Sequence, residues 1–334
     1  MTEVERPATV PAHRFSVAPM LDCTDRHFRV LMRQISCRAL LYTEMVVAQA
    51  LHHTNMRDRL LDFDPIEHPI ALQLGGDDPN LLADAARLAL DWRYDALNLN
   101  VGCPSQRVQA GNFGACLMAD PDLVARCVEA MGQASALPVT VKHRIGIDEL
   151  DNDTLLTAFV DRVAEAGAQR FSVHARKAWL EGLDPKQNRT IPPLQHDRVV
   201  ALKQRRPELL IELNGGLETP ADCLVALDEC DGAMVGRAAY AHPLRWADMD
   251  HLIYGEAPRQ LLASDVVEGL IPHAAQHLHR GGRLWDLCRH LVQLVEGVPG
   301  ARYWRRELGE RSQQKGADLK ILEEAGRQLK DAGL

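Results

Sequence analysis

The sequence predicts an α/β protein: a (β/α)8 TIM barrel followed by a small C-terminal helical domain. Three observations carry this expectation. Eight short β-prone segments recur along the first part of the chain, stretches long enough for a helix separate most of them, and nearly every segment stops in a group that hydrogen-bonds or ionises.

The eight segments are Phe15–Ala18, Leu40–Thr43, Ile70–Leu74, Ala96–Leu99, Val139–Lys142, Arg170–Val173, Leu210–Leu213 and Ala233–Val235. Between them, Asn80–Asp91 places Leu81, Leu82, Ala85, Leu88 and Ala89 at helical spacing, Thr154–Ala166 does the same with Leu155, Phe159, Val163 and Ala166, and Asp122–Gly132 repeats it. A doubly wound open sheet is the competing architecture, but no G-x-G-x-x-G follows the first segment. Near Gly255 the character changes. Ser264 is expected to cap a helix carrying Val266, Val267, Leu270 and Ile271, which Gly281-Gly282 ends. A second helix with Leu284, Leu287, Leu291, Val292 and Val295 should end at Gly297 and Pro299, with two more helical stretches beyond. The expected division is residues 1–255 for the barrel and 256–334 for the helical domain.

Composition narrows the class. Of 334 residues 46% are hydrophobic and 25% charged, which is ordinary for a soluble globular protein. No apolar run reaches the roughly 20 residues of a membrane span, and MTEVERPATVPAHRF has no secretory apolar segment. A cytoplasmic, membrane-free protein is expected. None of the eight cysteines falls in a C-x-x-C pair, so no metal is expected. The net charge of -8 argues weakly against a nucleic-acid partner, yet Arg280–Lys315 holds eight Lys/Arg against four Asp/Glu. Arg302, Arg305 and Arg306 share one face of any helix there. Global charge therefore does not decide the partner.

Barrel active sites sit at the C-terminal strand ends. Here those ends carry Pro19-Met20, Glu44, Gln73, Asn98/Asn100/Cys103, Lys142/Arg144, His174/Arg176, Asn214-Gly215-Gly216 and Gly236-Arg237. Two glycine turns after the seventh and eighth strands, one with an arginine, point to a phosphate, because glycine lets backbone N–H groups approach an anion. Lys142 has three readings: a Schiff-base lysine, a cation beside the N1–O2 edge of a reduced flavin, or a structural ion pair. His174 and Gln73 suit a ring with several carbonyls. Cys103, fixed between Gly102 and Pro104, is placed to act as a general acid or to serve as a small buried thiol.

These segments resemble a known family. SVAPMLDCTDRHFR, LYTEMV, ALQLGG, NLNVGCPSQRVQAGNFGACLM, VTVKHRIGID, HARKAWLEGL, NGG and VGRAAYAHP are similar to the tRNA-dihydrouridine synthases, and closely to the subfamily acting on uridines 20 and 20a of the D-loop. The likeness runs from about Arg14 to Arg306. Cys23 in MLDCTD departs from it, because tryptophan is usual there. The resemblance implies FMN as cofactor and NADPH as reductant. Pro19 and Met20 would line the flavin ring, Gln73, Lys142 and His174 contact its isoalloxazine or ribityl part, and Asn214, Gly215, Gly216, Gly236 and Arg237 hold its phosphate. Cys103 matches the proton donor to uracil C5. Asn100, Lys186, Arg189, Arg302 and Arg305 match tRNA contacts, and the protein is expected to act on RNA as a monomer.

Three other readings remain at this point. A flavin barrel acting on a small pyrimidine would not bind tRNA. A Schiff-base aldolase using Lys142 would be colourless. A non-catalytic flavoprotein or RNA-binding module would be indifferent to Cys103→Ala.

Overall fold

Alternation along the strands decides the layers of this molecule. The computed structural model describes residues 10–55, 57–295 and 300–334. In the strand Ala96–Val101, Leu97, Leu99 and Val101 are fully buried in the large core beneath the surrounding helices. Asn98 and Asn100 lie at the alternate positions and so face the other way, into the barrel. The same period places Thr140, Lys142 and Arg144 inward and Val139 and Val141 outward.

Eight parallel strands form the barrel: β1 (Phe15–Val17), β2 (Leu41–Tyr42), β3 (Ile70–Gly75), β4 (Ala96–Val101), β5 (Val139–Arg144), β6 (Arg170–His174), β7 (Leu210–Asn214) and β8 (Gly232–Val235). Hydrogen bonding runs β1-β8-β7-β6-β5-β4-β3-β2. A parallel bridge between Ser16 and Leu40 joins the first and last strands, with Val17 N donating to Leu40 O at 3.0 Å. All eight expected segments are therefore strands, with ends moved by one or two residues. A short extra strand, Val46–Val47, pairs with the end of β3 and had no signal of its own.

The helices begin where the side chains favour it. Helix α1 (Arg26–Ile35) is capped by Asp25, α2 (Pro79–Asp91) by Asp78 and α3 (Pro121–Ala134) by Asp120. Asn152 caps α4 (Asp153–Glu165). Each cap oxygen accepts an otherwise orphaned N–H, and Pro at the first helical position of α2 and α3 loses nothing there. Helices α5 (His196–Arg205) and α6 (Pro220–Glu229) complete the outer layer. A smaller apolar cluster, including Tyr42, Ala71, Ala96 and Met234, fills the barrel interior. The Arg170–Glu212 pair, 3.4 Å apart, lies buried within it.

Past Gly255, which ends the preceding helix at φ +70°, come α7 (Ala263–His279), α8 (Leu284–Leu291), α9 (Ala301–Ser312) and α10 (Leu319–Asp331). Ser264 is not the cap of α7, as expected, but already helical. Its N–H donates to the Leu334 carbonyl at 3.1 Å, and Asp265 accepts from Leu262 N at 2.9 Å, so the helix start is satisfied without a serine cap. Gly281, at φ +84°, ends α7 as expected. The expected stop of α8 at Gly297 and Pro299 lies outside the described residues; the helix itself ends at Leu291. Helices α7 and α8 pack on α1, and Asp25 reaches across to Arg289 at 2.6 Å and His290 at 3.0 Å.

Candidate active site

Register brings the inward side chains of neighbouring strands level. Gln73 lies opposite Asn98, Asn100 opposite Lys142, Arg144 opposite His174, and His174 opposite Asn214. At the C-terminal end Gln73, Asn98 and Asn100 form one connected row with Thr140. Gln73 Nε2 donates to Asn98 Oδ1 at 2.8 Å, and Asn98 Nδ2 to Thr140 Oγ1 at 2.9 Å. Asn100 Nδ2 donates to Gln73 Oε1 at 2.9 Å. Asn100 Oδ1 accepts from Gly102 N at 3.1 Å and Cys103 N at 3.0 Å. The loop that carries the thiol is thus hung from a buried side chain. Cys103 itself is half-buried, with Sγ 3.7 Å from Ser105 Oγ.

Lys142 Nζ donates to Asn214 Oδ1 at 2.9 Å, and Asn214 Nδ2 donates to the Met234 carbonyl at 2.8 Å. Burial, and then the Arg144 charge, bring Lys142 down to about 8. Burial and the surrounding cations hold His174 well below its usual range, so its imidazole is neutral at pH 7. Its Nδ1 is buried with no hydrogen-bond partner among the described residues.

The glycine turn after β7 is a cradle. Gly215 and Gly216 sit at φ +104° and +74°, where side chains are strained. A Cβ on Gly216 would lie 2.4 Å from Leu194, and one on Gly215 2.9 Å from the His174 ring. His196 holds the turn, with Nε2 donating to the Gly215 carbonyl at 2.7 Å. Met20, half-buried, lies opposite Gly236. Arg237 begins a five-residue helix and donates to the Arg189 carbonyl at 3.3 Å. Burial and then Arg237 lower both Arg176 and Arg189. Arg237 thus stands within electrostatic reach of both Arg176 and Arg189, a gathering of cations that suits an anion.

Arg144 is the residue whose role sequence reading left blank. Its Nε donates to the Gly102 carbonyl at 2.9 Å, and its Nη1 to the Lys177 and Asn188 carbonyls, each at 3.1 Å. It fastens the Cys103 loop to the loop bearing Lys186 and Arg189. Fully buried Asn188 organises that second loop through Trp179 and Leu183. Lys186 is exposed and Arg189 half-buried beside Arg237. Asn100 is buried and shares its amide between Gln73 and the Cys103 loop. Arg302 and Arg305 are exposed on α9, whose opposite face buries Ala301, Trp304 and Leu308. Neither forms an ion pair with a described residue. Cys23 lies near Arg289, Asp22, Glu44 and Arg189, and burial raises its thiol. Cys116 donates to the Phe113 carbonyl at 3.1 Å and packs beneath the loop.

This donor set fits a flavin mononucleotide. Gln73 has a second N–H hydrogen beyond its bond to Asn98, Lys142 and His174 lie on inward positions of nearby strands, and the positive-φ glycine cradle with Arg237 matches a phosphate. Residues 16–331 match the family model described as dihydrouridine synthase. The chain belongs to the dihydrouridine synthase family. It is therefore an enzyme, an oxidoreductase, and the family is flavin-dependent. Curated relatives named "tRNA-dihydrouridine(20/20a) synthase" are similar over most of their length. One from Synechocystis sp. is 54% identical, covering 93% of this chain and 92% of the relative. One from Shewanella oneidensis is 50% identical over 92% and 91%. One from Xanthomonas campestris pv. campestris is 48% identical over 95% and 94%. Among the described residues, no helix is long and apolar enough to cross a membrane, and no group of His, Cys, Asp or Glu is arranged to hold a metal.

Proposed function

We propose that this protein reduces uridine to 5,6-dihydrouridine at positions 20 and 20a of the tRNA D-loop, with FMN in the barrel and NADPH as reductant. The observation that carries the reading is the Cys103 loop, hung from Asn100 at the edge of a cation-lined barrel mouth. In this reading residues 1–255 are the FMN-binding barrel and 256–334 a helical tRNA-binding domain, and the protein works in the cytoplasm as a monomer on RNA without a metal.

Pro19 and Met20 line the flavin ring. Gln73, Lys142 and His174 contact its isoalloxazine or ribityl part. Asn214, Gly215, Gly216, Gly236 and Arg237 hold the phosphate. When bound and reduced by NADPH, FMN supplies a hydride to uracil C6. The C5=C6 electron pair takes up the Cys103 thiol proton at C5, and the thiolate regains a proton from solvent. Lys142 offsets negative charge near the ring. The substrate base leaves its stack to reach the thiol. Asn100, Lys186, Arg189, Arg302 and Arg305 orient the tRNA, chiefly through its phosphates.

A visible spectrum tests the whole reading. Flavin bands should bleach with NADPH and recover on addition of unmodified tRNA. Bleaching without recovery would point to another acceptor, and a colourless protein that cannot be reconstituted with FMN would end the flavin reading.

A further inference from the structure

A second cationic cleft shares no lining residue with the barrel-mouth site. It is a cavity of about 590 Å³ between the first turn of α1, the short helix Arg57–Leu61 and the C-terminal end of α7. Arg26, Arg59 and Arg280 line it, with His27, His273 and His277 behind them. Asp62 answers two of the arginines at once, 2.8 Å from Arg26 and 3.4 Å from Arg280. No described carboxylate pairs with Arg59. Asp64 accepts from Ile66 N at 3.0 Å and stands 3.9 Å from His273 Nδ1, and Asp286 pairs with both His277 and Arg283, so both carboxylates have other partners.

The histidine wall is built rather than incidental. His27 Nδ1 and His273 Nε2 are 2.9 Å apart, and the His277 ring meets His27 edge-on with centroids 4.3 Å apart. Burial holds His27 and His273 below their usual range, so both rings are neutral hydrogen-bonding groups at pH 7. His273 Nδ1 is buried with no hydrogen-bond partner among the described residues. Gly282 is pressed onto His277: a Cβ there would lie 2.2 Å from the imidazole. Only glycine lets the turn after α7 close over this ring.

We propose that this cleft binds a phosphate group carried by a polyanionic substrate, on Arg26, Arg59 and Arg280. Three guanidinium groups, two of them sharing the single Asp62 carboxylate, disfavour a cation and favour a planar-forked grip on phosphate oxygens. Two sources carry that chemistry: a phosphodiester of an RNA backbone and the phosphates of a dinucleotide. Arg26 follows β1 and its loop, and α1 also holds the C-terminal helices, so an RNA lying across barrel and helices would pass this cleft.

The test uses the FMN-loaded protein and the variant R59Q/R280Q, with R59Q alone as a second variant that leaves the Asp62 pairs intact. Calorimetry with inorganic pyrophosphate should show binding to the wild type and at least tenfold weaker binding to both variants. If the source is RNA, the tRNA Kd rises about tenfold and the log–log salt slope falls by about 1 for each phosphate the variant no longer neutralises, with NADPH oxidation unchanged. If the source is a dinucleotide, the KM for NADPH rises and tRNA affinity is unchanged. Equal pyrophosphate binding by wild type and variants, or unchanged affinity for both tRNA and NADPH, would overturn the proposal. The pyrophosphate measurement decides this even if the protein proves not to reduce tRNA.

Discussion

The Arg144 guanidinium donates to the Gly102 carbonyl at 2.9 Å, one residue before the thiol of Cys103. Its other hydrogen bonds, to the Lys177 and Asn188 carbonyls, make it a clamp between two loops. We expect Arg144→Lys to keep FMN and flavin reduction by NADPH while slowing uridine reduction about tenfold or more, since one ammonium does not span three carbonyls in the plane of a guanidinium. Equal single-turnover rates for mutant and wild type would remove this positioning role.

Cys103→Ala should bind FMN and oxidise NADPH normally but lose uridine reduction by about 10² to 10⁴, the usual worth of a positioned general acid. The check is a single turnover of prereduced enzyme with unmodified tRNA. An alanine variant that reduces uridine at the wild-type rate contradicts the assignment.

Lys142 works against the fold that holds it. Its ammonium is held near 8 rather than the ordinary 10.5. The unfolded chain then binds the proton more tightly, so stability rises with pH between about 8 and 10.5 and is lowered by about 3 kcal/mol below pH 8. Lys142→Met should therefore stabilise the cofactor-free protein at pH 7, by about 2 kcal/mol once the missing Asn214 bond is allowed for. The same variant should lose uridine reduction. Urea melts of cofactor-free protein at pH 7 check the first claim; a destabilised variant contradicts it.

Asp25 joins the barrel to the C-terminal helices. Burial pushes its carboxyl up, but His290 and the other partners outweigh this and hold it well below the usual carboxylate range. Its stabilisation is present above the ordinary value near 4 and fades as pH falls below it. Asp25→Asn should cost about 2–4 kcal/mol at pH 7, from a weakened cap and an uncompensated Arg289. The difference between variant and wild type in urea melts should shrink below about pH 4; a constant difference would mean that the carboxylate charge is not what matters.

Much of this was legible because period-two alternation is visible in sequence. NLNV shows Asn98 and Asn100 on one face, and VTVKHR shows the same for Lys142 and Arg144. The glycine pair after β7 was legible because its φ values exclude most other residues. Three things were not. The acceptors of Arg144 are backbone carbonyls as many as 44 residues away, and a carbonyl has no sequence signature. The His196 bond to the Gly215 carbonyl was hidden for the same reason. Ser264 looked like a cap because its chemistry suits one, but the Leu334 carbonyl takes its N–H instead. The cleft of Arg26, Arg59 and Arg280 is assembled from three separate segments, each ordinary alone.

The amides beneath the thiol have one further consequence. From the Cys103 N–H, every hydrogen points the same way: to Asn100, then Gln73, Asn98 and the Thr140 hydroxyl, which hands the last to the Leu97 carbonyl at 2.9 Å. No amide in that row can turn over alone, because each would set oxygen against oxygen and nitrogen against nitrogen on its two sides. The row therefore has a polarity, set by backbone groups at its two ends: the Cys103 N–H, which can only donate, and the Leu97 carbonyl, which can only accept. Deamidation of Asn98, a single-atom change far from the thiol, would break the sequence in its middle and leave the reactive loop facing a support with two possible orientations instead of one.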